Sequence, residues 1–396
     1  MKRKIGILTG GGDTQPLNAV LFFLRIFLEK AGFGFIGFVK GWEGVLENRF
    51  VDLIGLPDFG CIGGTILKSS RVNLDDRDGF MRANANLKAT GIDALVVIGG
   101  DDTLSNVYGI ETVPCVGIAK TIDNDVGFLQ VDNGTIQSVN YFTLGYPTAA
   151  DKIARFVSLE EGIRTTAYSH ERIMVIESMG MQAGWLAMAS AFGRPDMVVI
   201  PEFPLDYQRF LVKLKEIYSR RRHAVVVVAE GARLHDGSPF RSDSSAADAF
   251  GNPKFGGAGE ALRDMVKHDL TSFMDVRNVN SVNPSYWYRS GFPHALDRLA
   301  AERMAERIFG LVEKGTLSGH HFVSVDFQNG SWLANDHPFL DFPQTTRGRF
   351  PKRTLDKAFY NTDTFSATEL WTEYLSRIVA FRSADTDYGT WIQERT

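Results

Sequence analysis

Three short clusters in the sequence carry side chains that could hold or move a phosphate. The first is Thr9-Gly10-Gly11-Gly12-Asp13-Thr14-Gln15-Pro16. Glycines let a backbone approach a ligand closely, and the free N–H groups of a following helix attract an anion. No Gly-Lys-Ser/Thr closes the run, so it is not the usual P-loop, and a tight strand-to-helix turn would use the same residues. The second cluster is Gly99-Gly100-Asp101-Asp102-Thr103. Adjacent carboxylates repel unless a cation or donors neutralise them, and Mg2+ takes one or two carboxylates plus water and phosphate oxygens. Aspartate at a helix start is also an ordinary cap. The third is Lys120-Thr121-Ile122-Asp123-Asn124-Asp125, where a lysine and two carboxylates can join phosphate neutralisation to proton abstraction, or form an Asx-rich turn. Arg172, Glu230-Gly231 and Tyr286-Trp287-Tyr288-Arg289 follow downstream. Arginine forks suit phosphate oxygens, although a single arginine is more often a surface residue.

The elements that must position these clusters are legible around them. Apolar runs at 5–8, 94–98, 113–118 and 224–229 lead, within a residue, into the glycines, lysine or glutamate just named. Continuous Val/Ile-rich runs suit parallel strands covered on both faces. Helical patterns fall between them at 17–30, 79–90 and 206–220, the first two followed by Gly32 and Gly91, common helix stops. Strand–helix alternation predicts an α/β fold, whose ligands sit at the carboxyl ends of the strands. The stretch Leu234 to Gly259 reads as a long surface loop, and the rhythm fades after Asn329 into a tail ending in an amphipathic helix over 367–381.

Composition excludes several classes. With 43 Lys+Arg against 47 Asp+Glu, a net charge of −4 argues against a nucleic-acid binder. No apolar run approaches the ~18 residues of a membrane helix, and no h-region follows Lys2-Arg3-Lys4. Two cysteines, Cys61 and Cys115, are too few for a disulfide framework or a cysteine metal site. A cytoplasmic enzyme is the expectation.

Taken together and in order, the clusters resemble the phosphofructokinase family. The resemblance runs from about Lys4 to Phe309, roughly three quarters of the chain, and includes Gly63-Gly64-Thr65 to Ser69-Ser70-Arg71, Gly99-Gly100-Asp101 and Thr121-Ile122-Asp123-Asn124-Asp125. It continues through Glu177-Ser178-Met179-Gly180, Glu230-Gly231, and Arg289-Ser290-Gly291 with Asp297-Arg298. It implies two facing three-layer α/β domains and phosphoryl transfer to the 1-hydroxyl of fructose 6-phosphate. Asp123 would be the base, Thr121 and Asp125 its supports, and Asp101 the ligand of Mg2+. Gly11, Gly12, Arg71, Gly100, Asp102 and Lys120 would meet the phosphoryl donor, with Asp102 and Lys120 also counted in the catalytic group. Thr121, Asp123, Arg172, Met179, Gly180, Glu230, Tyr286 and Arg289 would hold the sugar phosphate. The arginine matching Arg172 comes from a neighbouring subunit in the family, which implies a homodimer or homotetramer.

Two positions bear on the donor. Family members that use ATP carry glycine where Asp102 and Lys120 stand here, and Asp102 with Lys120 is the pairing of pyrophosphate-dependent members. A carboxylate within ~4 Å of an α-phosphate would cost about 4 kcal/mol at an effective dielectric of ~20. Asn106 would narrow an adenosine pocket further. Pyrophosphate is therefore the expected donor, against ATP or a non-catalytic regulatory relative. Departures from the family pattern are Gln15-Pro16, Met181, Tyr286 and Asn280; Arg277 is a candidate to replace the basic residue expected at Asn280, and sedoheptulose 7-phosphate is a conceivable substrate. The expected division is 1–134 plus about 288–335 for the donor, 135–287 for the sugar phosphate, and a 336–396 extension on the second domain.

Overall fold

The computed structural model describes residues 3–74, 76–240, 257–315, 317–339, 349–384 and 388. The chain divides into two compact units, 1–148 with 289–353 and 149–288 with 354–396.

The first unit is built on one sheet. Its strands run in the order Phe50–Asp52, Gly34–Phe38, Lys4–Thr9, Ala94–Gly99, Cys115–Thr121, His321–Gln328 and Ser331–Pro338, and the short Leu144–Gly145 strand pairs with Cys115–Thr121. The central strands are parallel, with Thr9 opposite Ile98 and Gly99 opposite Ala119. All six residues of Ala94–Gly99 are buried. Withdrawing each Val or Ile side chain from water is worth about 1.5–3 kcal/mol, so this strand anchors the unit. Because Thr9, Gly99 and Thr121 end three neighbouring parallel strands, the clusters that follow them emerge side by side at one edge.

Helices form where the spacing predicts them, with small shifts at their ends. Leu17–Lys30 is followed by Gly32 at φ 75°. The second starts earlier than expected, at Arg77, because Asp76 caps it by accepting the Gly79 N–H at 2.6 Å. The third is Tyr207–Arg221, capped by Asp206, and it ends on Arg222 rather than a glycine.

The boundary expected at 134/135 lies instead at 148/149. Asn133 and Gly134, both at positive φ, turn the hairpin of Leu129–Asp132 and Thr135–Ser138; two such residues make a hairpin turn, not a linker. The expected extension is also divided: 336–353 belongs to the first unit, and only 354 onward to the second.

The second unit carries a four-stranded parallel sheet in the order Met197–Val199, Ala224–Ala229, Ile173–Ser178 and Val279–Val282. Much of the expected 234–259 loop, residues 241–256, lies outside the described residues, and a helix begins at Ala258. The amphipathic helix of the tail is shorter than predicted, Glu369–Ser376. It docks through Trp371 and Tyr374 against Trp185 and Phe359, and the Trp371 indole N–H donates to the Met188 carbonyl at 2.9 Å. Among the described residues no helix is long and apolar enough to cross a membrane.

Candidate active site

In the first unit the glycine run is held open by its neighbours. Gly11 has φ 76°, its N–H donates to the Ser70 carbonyl at 2.9 Å, and its carbonyl accepts from the Ser69 hydroxyl. This ties the Gly63–Arg71 loop to the end of the first strand. A Cβ at Gly10 would lie 2.6 Å from Thr103 Oγ1, and one at Gly12 would lie 2.6 Å from the Arg289 guanidinium. The short Thr103 side chain leaves no room for a Cβ at Gly10, whereas the Arg289 tip could swing away from one at Gly12.

Lys120 sits at the centre of this group. It is 3% exposed, its ammonium donates to the Gly12 carbonyl, and a Cβ at Gly11 would be 3.2 Å from Nζ. Burial pulls its pKa down to about 8; Arg289 and Arg71 push the same way, while Asp13 and Asp123 oppose them. Those influences place Asp13, Arg71, Asp123 and Arg289 in one electrostatic neighbourhood with Lys120, which also touches Gly11 and Gly12. Arg289 also lies 3.4 Å from Asp13 Oδ1. Its expected role was on the sugar phosphate, yet within the first unit it borders the glycine run.

The Thr121–Asp125 loop is braced from below. The Asp123 N–H donates to Thr121 Oγ1 at 3.0 Å. Asn124, at φ 55°, accepts the Thr143 N–H on its side chain at 2.9 Å. Asp125 has its carboxyl pushed up, first by burial and then by the charge of Asp101, with Lys352 opposing. Asp101 is itself buried at the start of the Asp101–Ser105 helix, next to Gly100, and Lys352 Nζ lies 2.9 Å from its Oδ2. Asp102 is partly exposed and lies 3.6 Å from Arg349. Asn106 is buried and its side-chain oxygen accepts the Leu74 N–H at 3.1 Å.

One further carboxylate positions the loop. Asp297, in the first turn of the Ala295–Glu313 helix, accepts the Gly145 N–H at 2.9 Å and the Thr148 N–H at 3.0 Å. Gly145 pairs with Thr121, so Asp297 braces the strand that carries Lys120 and Thr121.

In the second unit, Met179, Gly180 and Glu230 meet at the carboxyl ends of two adjacent strands. The Gly180 N–H donates to Glu230 Oε1 at 3.2 Å, and Gly180 has φ 131°. Arg172 is not with them. It precedes the Ile173–Ser178 strand, and its guanidinium donates to Thr166 Oγ1 at 2.8 Å. Six strand residues span roughly 20 Å, so Arg172 stands at the far end of the sheet from Met179. Tyr286 is exposed, and Arg277 is engaged with Asp275 at 2.6 Å while Asn280 donates to the Arg277 carbonyl. Glu177 is buried and accepts the Gly259 N–H at 2.8 Å and the Asn283 amide at 2.9 Å, anchoring the Ala258–Asp269 helix.

Sequence reasoning missed Lys352, Arg349 and Asp13 as members of the site. The first two lie in a tail with no strand–helix rhythm, and nothing in their spacing marks them. No group of three or more His, Cys, Asp or Glu converges among the described residues. Asp101 and Asp125 are close enough for the charge of one to raise the pKa of the other, and such a carboxylate pair is a donor set that Mg2+ accepts together with water and phosphate oxygens.

Comparison with known proteins agrees with this geometry. The profile named Phosphofructokinase matches residues 4–312. A Streptomyces coelicolor protein named pyrophosphate–fructose 6-phosphate 1-phosphotransferase is 36% identical over 324 residues, 79% of this chain and 88% of its own length. Another from the same organism, named ATP-dependent 6-phosphofructokinase 3, is 34% identical over 323 residues, again 79% and 88%. The solved structure of a pyrophosphate-dependent phosphofructokinase from Nitrosospira multiformis shares the fold, with a TM-score of 0.77 at 19% identity over 97% of this chain and 93% of that one. With the strand-end carboxylates and the buried lysine lying inside the matched span, the chain belongs to the phosphofructokinase family.

Proposed function

We propose that the chain is a pyrophosphate-dependent phosphofructokinase that moves a phosphoryl group reversibly from pyrophosphate to the 1-hydroxyl of fructose 6-phosphate. The relatives do not choose the donor, since both donors appear among their names at similar identity. The choice rests on one observation: a buried lysine ammonium closes the glycine run, where an ATP user of the family would have glycine.

In this reading the hydroxyl oxygen of the sugar attacks one phosphorus of pyrophosphate, the bridging P–O bond breaks, and orthophosphate leaves. Asp123 takes the hydroxyl proton, with the Lys120 ammonium in its electrostatic neighbourhood. Lys120 and Arg71 neutralise the donor, and the Gly11 and Gly12 backbone lets it come close. Met179, Gly180 and Glu230 hold the sugar. Asp101 and Asp125 would hold Mg2+, which when bound supplies charge neutralisation on the phosphate oxygens. Such a transfer depends on positioning and electrostatics more than covalent chemistry. Arg172, at the far end of its sheet, would serve the site of a second copy.

The test is product formation. With Mg2+, fructose 6-phosphate and pyrophosphate, the protein yields fructose 1,6-bisphosphate and orthophosphate, and Asp123→Asn lowers kcat by about 10²–10⁴-fold. No bisphosphate, or an undiminished Asp123→Asn, would refute the reading.

A further inference from the structure

The last stretch of the first unit, 349–353, is fixed against the catalytic loop by a dense set of bonds. The Phe350 N–H donates to Ser105 Oγ at 2.8 Å, and its buried ring packs at 5.0 Å from Phe322 and 5.1 Å from Phe339. The Pro351 carbonyl accepts the Gly127 N–H at 2.9 Å, and the Arg353 N–H donates to the Asp125 carbonyl at 2.7 Å. Between them Lys352 bridges Val126 in antiparallel fashion. The buried Arg353 guanidinium donates to the Asn124 carbonyl at 2.7 Å and the Asn140 carbonyl at 2.6 Å. A segment held this way delivers its one intervening side chain to a set place. That side chain is Lys352, with Nζ 2.9 Å from Asp101 Oδ2. Burial alone would lower the Lys352 pKa, but the charges of Asp101, Asp125 and Asp102 outweigh it and raise it.

We propose that Lys352 is a positioning residue of the donor site, the standing counter-ion of the Asp101–Asp125 pair, and that it competes with the divalent cation for Asp101. The proposal rests on the reading of Asp101 as a metal ligand. Neighbouring carboxylates repel unless a cation stands beside them, and the Lys352 ammonium takes that place at Asp101. A lysine is a compact charge on a flexible four-carbon stem, so it can yield Asp101 when metal and pyrophosphate arrive together. The affinity for metal alone is kept low by the same contact, which ties metal capture to donor capture.

Mn2+ binding to the full chain, followed by the loss of the free-ion signal in electron paramagnetic resonance at pH 8 without pyrophosphate, tests this apart from turnover. Lys352→Met and Lys352→Gln bind Mn2+ about tenfold more tightly than the unsubstituted protein, equivalent to roughly 1.4 kcal/mol, while Lys352→Arg stays within about threefold. Asp101→Asn loses the site. Unchanged or weaker Mn2+ binding in both neutral variants, with thermal unfolding intact and Asp101→Asn still defective, would overturn the role of Lys352 alone. Retention of Mn2+ by Asp101→Asn would instead overturn the metal assignment beneath it.

Discussion

In the proposed reading Lys120 carries more of the chemistry than any other single side chain. Its ammonium has left water for a site bounded by Arg289, Asp13, Arg71 and Asp123, and its pKa has fallen to about 8. A group depressed in this way is charged below that pH and neutral above it. Because kcat/KM reports the free enzyme, the profile with pyrophosphate should be flat up to about pH 8 and then fall about tenfold per unit. Lys120→Met should lower kcat/KM by about 10²–10³-fold and abolish that alkaline limb, as read from initial rates across pH. Asp101, Asp123 and Lys120 were singled out because phosphate chemistry calls for such types at such spacing; the first unit sets Asp123 near Lys120 and Asp101 beside Lys352. Lys352 and Arg349 were not singled out, since they reach the site only through the path of a tail whose local sequence carries no pattern.

At the scale of elements, the strands were clear because unbroken Val/Ile runs ending at Gly-Asp or Lys-Thr permit little else. Helix ends were harder, as caps such as Asp76 and Asp206 lie outside the apolar repeat. The brace from Asp297 to Gly145 and Thr148 joins residues some 150 apart and could not be seen. Burial pushes the Asp297 carboxyl up to about 6, although its hydrogen bonds oppose the shift. The folded state thus keeps a proton that the unfolded chain releases, and this group's contribution to stability declines as pH rises from about 4 to 6 and is level above that. Asp297→Asn, which turns an amide toward a backbone donor, should destabilise by about 1–3 kcal/mol in denaturant melts, with the deficit largest near pH 4. A pH-independent deficit would contradict that sign.

For the whole molecule, the two-unit division followed from the resemblance, but its boundaries did not. The hairpin at Asn133-Gly134 and the strap at 349–353 each belong to the first unit, and neither is visible without three-dimensional packing. The distance of Arg172 from Met179 within one sheet bears on assembly. If a second copy supplies that arginine, Arg172→Ala and Asp123→Asn are each nearly inactive alone but recover activity when mixed. In a freely exchanging dimer, half the molecules would be hybrids with one whole site, giving about a quarter of full activity. No recovery after subunit exchange would place each site within a single chain.

The sharpest comparison is kcat/KM for pyrophosphate against kcat/KM for ATP, at fixed Mg2+ and saturating fructose 6-phosphate on the same preparation. A buried ammonium at Lys120 and a carboxylate at Asp102 should favour pyrophosphate by about a hundredfold or more, roughly 2.7 kcal/mol of transition-state binding. Equal or faster turnover with ATP would contradict the assignment of pyrophosphate as the donor.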